Sequence, residues 1–341
     1  MRNLCSVLLF LLSVALAACS GETTRTANIQ PTPAASAAMT VTKTAVWIDT
    51  DPSISSGPKE VDDGFALIQA FHSTELDLRG VSVVFGNAPL KEAWPIGQDI
   101  VRKYGPAGMA IYAGAASEKD LGVENDATRA IAAALQKDKL TIFALGPVTN
   151  VATVVKNHPE LHARIDNIIA VAGRRPGQHF ITGIKPHTPF RDFNFELDAP
   201  GFQVLLDSNI NITLAPWEVS SKVWMKAADL DALAAGKPAT QWLAAPGRDW
   251  LKMWQEKFDA DGFNPFDTLA IAYVTSPQTL TWEDLPAIIQ KGPDDRAPAG
   301  SKAPDKPYLV AGKEIKSTRM VRYIHTPKPE FKADLLARLL R

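Results

Sequence analysis

From residue 45 onward, short apolar runs rich in β-branched residues alternate with longer stretches of helical period. The runs "AVWID" (45–49), "RGVSVVFG" (79–86), "AIYAG" (110–114), "LTIFALG" (140–146), "NIIAVAG" (167–173) and "NITLAP" (211–216) predict strands. Helices are predicted near 63–73, 90–104, 126–137, 149–157 and 198–208. Strands that are apolar almost throughout, rather than at alternate positions, belong to sheets covered on both faces. The pattern therefore predicts an α/β fold with a mostly parallel central sheet and helices on both faces. The last third reads as more helical (226–235, 239–259, 267–275) and closes on the strand-like "PYLV" and "RMVRYI". Polar clusters fall where strands end: Asp49 and Asp51 after the first, Gly86-Asn87 after the second, and "LGPVTN" (145–150) across the end of the fourth. Open α/β sheets bind ligands in the crevice beyond the carboxyl ends of their strands, so these distant clusters are expected on one rim.

The N-terminus breaks the alternation. "MRN" is followed by the apolar "LCSVLLFLLSVALA" and then by "LAACS". The apolar run is shorter than the roughly 20 residues of a spanning helix and suits the h-region of a secretory signal. An ordinary A-x-A-like cleavage site is one reading. "LAAC" also resembles a bacterial lipobox, which makes 1–18 a lipoprotein signal peptide and Cys19 the lipidated first residue. An acylated Cys19 carrying more than one chain anchors stably, where a single chain binds only marginally. Residues 19–42, rich in Thr, Ala, Ser and Pro, read as a flexible tether. Residues 43–341 are expected to form a single α/β domain. The expected location is the bacterial cell envelope, on the outer membrane facing the periplasm, since Ser20 is not the Asp that retains such proteins at the inner membrane. Cys5 lies in the removed segment and no cysteine follows Cys19, which excludes disulfides and thiol catalysis from the domain.

Charge narrows the chemistry. A net charge of −1 over 341 residues excludes a basic nucleic-acid binder and an acidic solvating chain. Within that balance Asp49, Asp51, Asp62 and Asp63 crowd a short stretch. Asp62-Asp63 alone would suit a helix N-terminus, where carboxylates meet free N–H groups and the positive end of the dipole. Together with Asp49-x-Asp51 they would raise one another's pKa unless a cation sits among them. A hard divalent ion with oxygen ligands is the remedy, Ca²⁺ being the most tolerant of irregular geometry; no His/Cys cluster with zinc spacing competes.

"DTDP…VDDGFAL" resembles the signature of the inosine–uridine-preferring nucleoside hydrolases. Further blocks are similar to that family's in order and spacing: "FGNAPL" (85–90), "ALGPVTNVA" (144–152), "RDFNFELDAPGFQVLL" (191–206) and "NPFDTLAIA" (264–272). The resemblance covers about 45–275 and implies a nucleoside hydrolase-like fold with a Rossmann-like core. It implies calcium-dependent hydrolysis of the N-glycosidic bond of ribonucleosides or a related N-riboside, giving ribose and free base. Carried over by position, Asp51, Asp63, Asp267 and the Leu145 carbonyl hold Ca²⁺, and Asp51 also takes a proton from the attacking water. Asp62, Asn87, Asp192 and Asn194 contact the ribose, and Asp49 holds the loop. The implied partner is a small nucleoside or riboside, with the membrane met only through the anchor, no nucleic acid, and a homo-oligomer compatible.

Four departures bear on activity. "SISSGPKEV" (53–61) stands where the compact motif has two residues, so the loop must bulge. Asp192 replaces the usual Glu, and Pro186 falls where a sugar-binding Asn is expected. Phe266 precedes Asp267 where many purine-active members carry a His that protonates the leaving base. The stretch 173–192 is a candidate flap, and its His179 or His187 is a possible acid; a solvated basic loop is the simpler account. Trp250, Trp254 and Phe258 recur every fourth residue, a core stripe that also suits stacking on a base, with Phe266 and Trp254 as base contacts. Two alternatives stand beside hydrolysis. A haloacid dehalogenase-type phosphotransferase would want Thr or Val at Ser53 and a later Gly-Asp-x-x-x-Asp, which is absent. A non-catalytic ribosyl-binding surface lipoprotein that keeps the calcium site would explain Phe266 and Pro186.

Overall fold

The computed structural model describes residues 43–54, 59–298 and 300–341; the signal segment, Cys19 and the tether lie outside the described residues. Nine strands form one sheet: β1 Thr44–Thr50, β2 Leu76–Val83, β3 Ile111–Ala113, β4 Leu140–Ala144, β5 Ile165–Ala170, β6 Ile212–Leu214, β7 Leu280–Pro293, β8 Asp305–Ala311 and β9 Met320–Pro327. Their order is β3-β2-β1-β4-β5-β6-β9-β7-β8. The first seven positions of that order are paired in parallel, and β7 pairs antiparallel with both β9 and β8. The order reverses between β1 and β4, which makes their carboxyl ends the topological switch point.

Every one of the six predicted early strands forms, and the expected helices appear within a few residues, including Leu90–Tyr104 despite Pro95. Alternating side chains feed two cores, one on each face. Val46, Ile48, Phe143 and Ile169 pack with the helices Asp62–Phe71, Pro238–Phe258 and Thr268–Thr275. Trp47, Ile142, Ile168 and Leu214 pack on the other face with Asp126–Lys137, Thr149–Asn157 and Ala199–Asp207. Such burial on both faces is why these strands read as continuous apolar runs. The pattern did not predict β7 or the helix Phe331–Leu339. In β7, "LTWEDLPAIIQKGP" buries only scattered positions and carries two prolines, so neither a run nor a clean alternation marks it. No helix among the described residues is long and apolar enough to cross a membrane.

Candidate active site

β1 ends at the switch point, and its last residues build the rear of the site. Asp49 Oδ1 accepts hydrogen bonds from Ser82 Oγ on β2 and from Asn150 Nδ2, the latter at 2.9 Å. Trp47 Nε1 donates to Ser82 Oγ at 2.8 Å, and Asn150 Oδ1 accepts from Ala115 N at 2.8 Å. Asp49 thus ties β1 to β2 and to the helix after β4. Burial lifts its carboxyl to about 7, with the bonds from Ser82 and Asn150 pulling the other way.

Asp51 follows directly and is fully enclosed. Its Oδ2 accepts from Asn87 N at 2.7 Å, while Oδ1 has no hydrogen-bond partner among the described residues. The chain closes in on this carboxylate through two glycines: a Cβ at Gly86 would lie 1.9 Å from Asp51 Oδ2, and one at Gly146 2.7 Å from its Cγ. Close approach of backbone to side chain, not an unusual φ, makes glycine necessary at both.

Asp62 and Asp63 open the helix Asp62–Phe71, and Asp267 precedes Thr268–Thr275. Asp63 Oδ1 accepts from Thr50 Oγ1 and, at 3.0 Å, from Asp51 N; its Oδ2 accepts from Asn87 Nδ2 at 3.2 Å. Carboxylate oxygens of Asp62, Asp63 and Asp267 all lie within 4.8 Å of one another, all three residues buried. Burial raises the carboxyl pKa of Asp51, Asp62 and Asp267 well above the ordinary range, and the charges of neighbouring aspartates raise them further. Burial raises Asp63 too, opposed by its bond from Thr50. Three carboxylates this close, with the donor-free Asp51 Oδ1 enclosed beside Asp63, fit a hard divalent cation.

In front of this cluster is a cavity of about 640 Å³ whose floor is lined by Asp62, Asn87, Leu145, Asp192, Asn194 and Asp267. Asp51 and Asp63 stand behind the floor rather than on it. Leu145 N donates to Asp49 O at 2.8 Å, and its carbonyl accepts from Asn194 Nδ2 at 2.6 Å. Asp192 Oδ2 accepts from Gly173 N at 2.9 Å; burial lifts its carboxyl to about 7 against the pull of Arg174. Eight of the residues singled out in the sequence thus gather around one floor: Asp51, Asp62, Asp63, Asn87, Leu145, Asp192, Asn194 and Asp267.

The opposite wall is aromatic. Phe266 faces the cavity and packs on Trp254 with ring centroids 6.4 Å apart. Trp250, Trp254 and Phe258 all line it, so the helical stripe serves core and cavity at once. The two flap histidines part company. His187 lines the cavity, but its ring nitrogens lie 2.7 Å from the carbonyl oxygens of Thr182 and Thr188. His179 is outside the cavity, its side chain 56% exposed and 3.7 Å from Asp295. Among the lining residues that the sequence did not single out are Glu60, Trp217 and Arg296. Trp217, stacked on Phe180 at 5.1 Å, follows β6 and could have been found by the strand-end rule; Glu60 was signalled only by the lengthened loop. Arg296 comes from the β7–β8 connection, for which the chain offers no local signal.

Carboxylates and amides suited to sugar hydroxyls on one side, with aromatic rings on the other, make this the crevice of a nucleoside-cleaving enzyme. The chain belongs to the family described as inosine-uridine preferring nucleoside hydrolase, whose model matches residues 46–298. A pyrimidine-specific ribonucleoside hydrolase of Klebsiella pneumoniae is 26% identical over 268 residues, 69% of this chain and 81% of that protein. Among solved structures, a plant nucleoside hydrolase superposes with a TM-score of 0.72 at 19% identity, covering 87% of this chain and 99% of its own. A purine-preferring ribonucleoside hydrolase from Gardnerella vaginalis gives 0.68 at 19% identity, covering 86% and 98%. At that identity the two structures speak for the fold.

Proposed function

We propose that the enzyme hydrolyses the N-glycosidic bond of ribonucleosides with Ca²⁺ as its cofactor, and prefers pyrimidine over purine nucleosides. The observation that carries this is the close group of Asp62, Asp63 and Asp267 with the unpartnered Asp51 oxygen behind it. When bound, the ion would polarise the attacking water and fix vicinal sugar hydroxyls. The chain's own residues do the rest. Asp51 accepts the proton of the attacking water, and Asp62, Asn87, Asp192 and Asn194 orient the ribose. The carboxylate floor stabilises the positive charge that develops on the sugar as the base departs. The pyrimidine preference is supported by the Klebsiella relative and by Phe266, which offers no proton to a leaving purine.

Ribose release from uridine, cytidine and inosine, with and without chelator, tests the reading. Uridine or cytidine should be cleaved fastest, and chelation should stop cleavage until Ca²⁺ is restored. Calorimetric riboside binding without any ribose release would mark a binding protein instead. We further propose that the mature protein is anchored through lipidated Cys19, on the outer membrane facing the periplasm. Mass spectrometry of the mature N-terminus decides this; an unmodified terminus beyond residue 19 overturns it.

A further inference from the structure

Glu60 stands two positions before the Asp62-Asp63 pair, within residues 53–61, the stretch by which this chain exceeds the compact motif. Its carbonyl accepts from Ser53 Oγ at 3.2 Å, which steadies the return of the chain toward the helix. Its side chain lines the same cavity as Asp62 and Asp267. The Oε1 atom is enclosed and has no hydrogen-bond partner among the described residues. A helix-capping role does not account for it, since the helix Asp62–Phe71 has no side-chain cap bond at its N-terminus. The strongest charges acting on Glu60 are those of Asp62 and Asp63, and Glu60 acts in turn on Asp267. Asp51 and Glu60 thus each keep an enclosed carboxylate oxygen without a donor among the described residues, Asp51 next to Asp63 and Glu60 on the cavity lining it shares with Asp62 and Asp267.

We infer that Glu60 is an additional oxygen ligand of the divalent-cation site, contributed by the lengthened loop. The inference rests on the proposed cation binding. A glutamate arm is one methylene longer than an aspartate arm, which suits a ligand arriving from the cavity side rather than from the strand ends. An extra carboxylate favours Ca²⁺, which takes six to eight oxygens in irregular geometry, over Mg²⁺, which demands an octahedron and keeps its waters.

Calorimetric titration of the metal-stripped full chain with Ca²⁺ and with Mg²⁺ tests this, using the parent, E60Q, E60D and D63A. E60Q should weaken Ca²⁺ binding about tenfold or more and narrow the preference for Ca²⁺ over Mg²⁺. E60D, with a shorter arm, should fall between parent and E60Q, and serves if E60Q folds poorly. Ca²⁺ affinity of E60Q and E60D within about twofold of the parent, with binding abolished in D63A, would overturn the role of Glu60 and leave the cation site standing. A parent that binds neither ion, or a D63A variant that binds as the parent does, would overturn the cation site itself.

Discussion

Calcium binding should drive protons off the protein, and the structure shows why. Asp62, Asp63 and Asp267 have oxygens within 4.8 Å of one another, so each ionised pair repels by at least about 3.5 kcal/mol at an effective dielectric of about 20. Burial and that repulsion hold the carboxyls of Asp62 and Asp267 well above the ordinary range, so the metal-free cluster keeps protons that an exposed aspartate would have lost. The ion needs the carboxylates ionised, so its binding should release protons near neutrality, and its affinity should rise with pH. The sign for folding follows. All these carboxyls are raised, so above the ordinary range the folded protein keeps protons that the unfolded chain has lost. The metal-stripped protein should then lose stability as pH rises from about 4 through neutrality, and Ca²⁺ should abolish most of that slope. Calorimetry in PIPES and in Tris at pH 7 counts the protons from the difference in apparent enthalpy. Release below about 0.3 proton, with equal affinity at pH 6 and 8, would refute the picture of a protonated carboxylate cluster.

Other outcomes follow from single contacts. Asp51→Asn keeps the size of the enclosed side chain but removes the proton acceptor, so uridine turnover should fall by about 10²–10⁴ with riboside binding retained by calorimetry; activity within about tenfold of the parent would relieve Asp51 of that role. Gly86→Ala pushes a methyl to 1.9 Å from Asp51 Oδ2, which should cost about 1–3 kcal/mol in denaturant unfolding and weaken Ca²⁺ binding with it. Arg174, 2% exposed, pairs with Asp295 at 2.8 Å, a carboxylate that Lys306 Nζ also meets at 2.8 Å; Arg174→Met removes one of these two partners and should cost about 1–3 kcal/mol in denaturant unfolding, and no measurable loss would show that Lys306 alone satisfies the carboxylate.

What the chain revealed of itself depended on where the physics was local. β1 and β4 were legible because burial on both faces makes whole strands apolar. Asp51 and Leu145 were legible because they follow the ends of those strands, and Asp62 and Asp63 because they open a helix beside them, whereas Asp192, Asn194 and Asp267 were reached only through the family resemblance. β7 was not, since its side chains face a patchwork of core, hairpin partner and solvent. The aromatic wall was half legible: Trp250 and Trp254 showed a helical step, but nothing near Arg296 hints that tertiary folding brings it to the same cavity. His179 and His187 look equivalent in the sequence, and only the path of the flap separates a histidine held between two carbonyls from one beside Asp295.

The position of β9 bears on how the protein is made. β9 lies between β6 and β7, so the strand that comes last in sequence occupies an interior position of the finished sheet. Until Met320–Pro327 is available, β6 presents an open edge, and the β7–β8 hairpin has no strand through which to join the parallel part of the sheet. An open edge is a template for pairing with another chain. The wall carrying Arg296, and the Arg174–Asp295 pair that ties the flap to that hairpin, thus wait on the last strand. Folding that proceeds in step with chain emergence should stall with the cation floor formed and the substrate crevice unfinished. Chains cut before Met320 should accumulate as aggregates rather than as a smaller active enzyme.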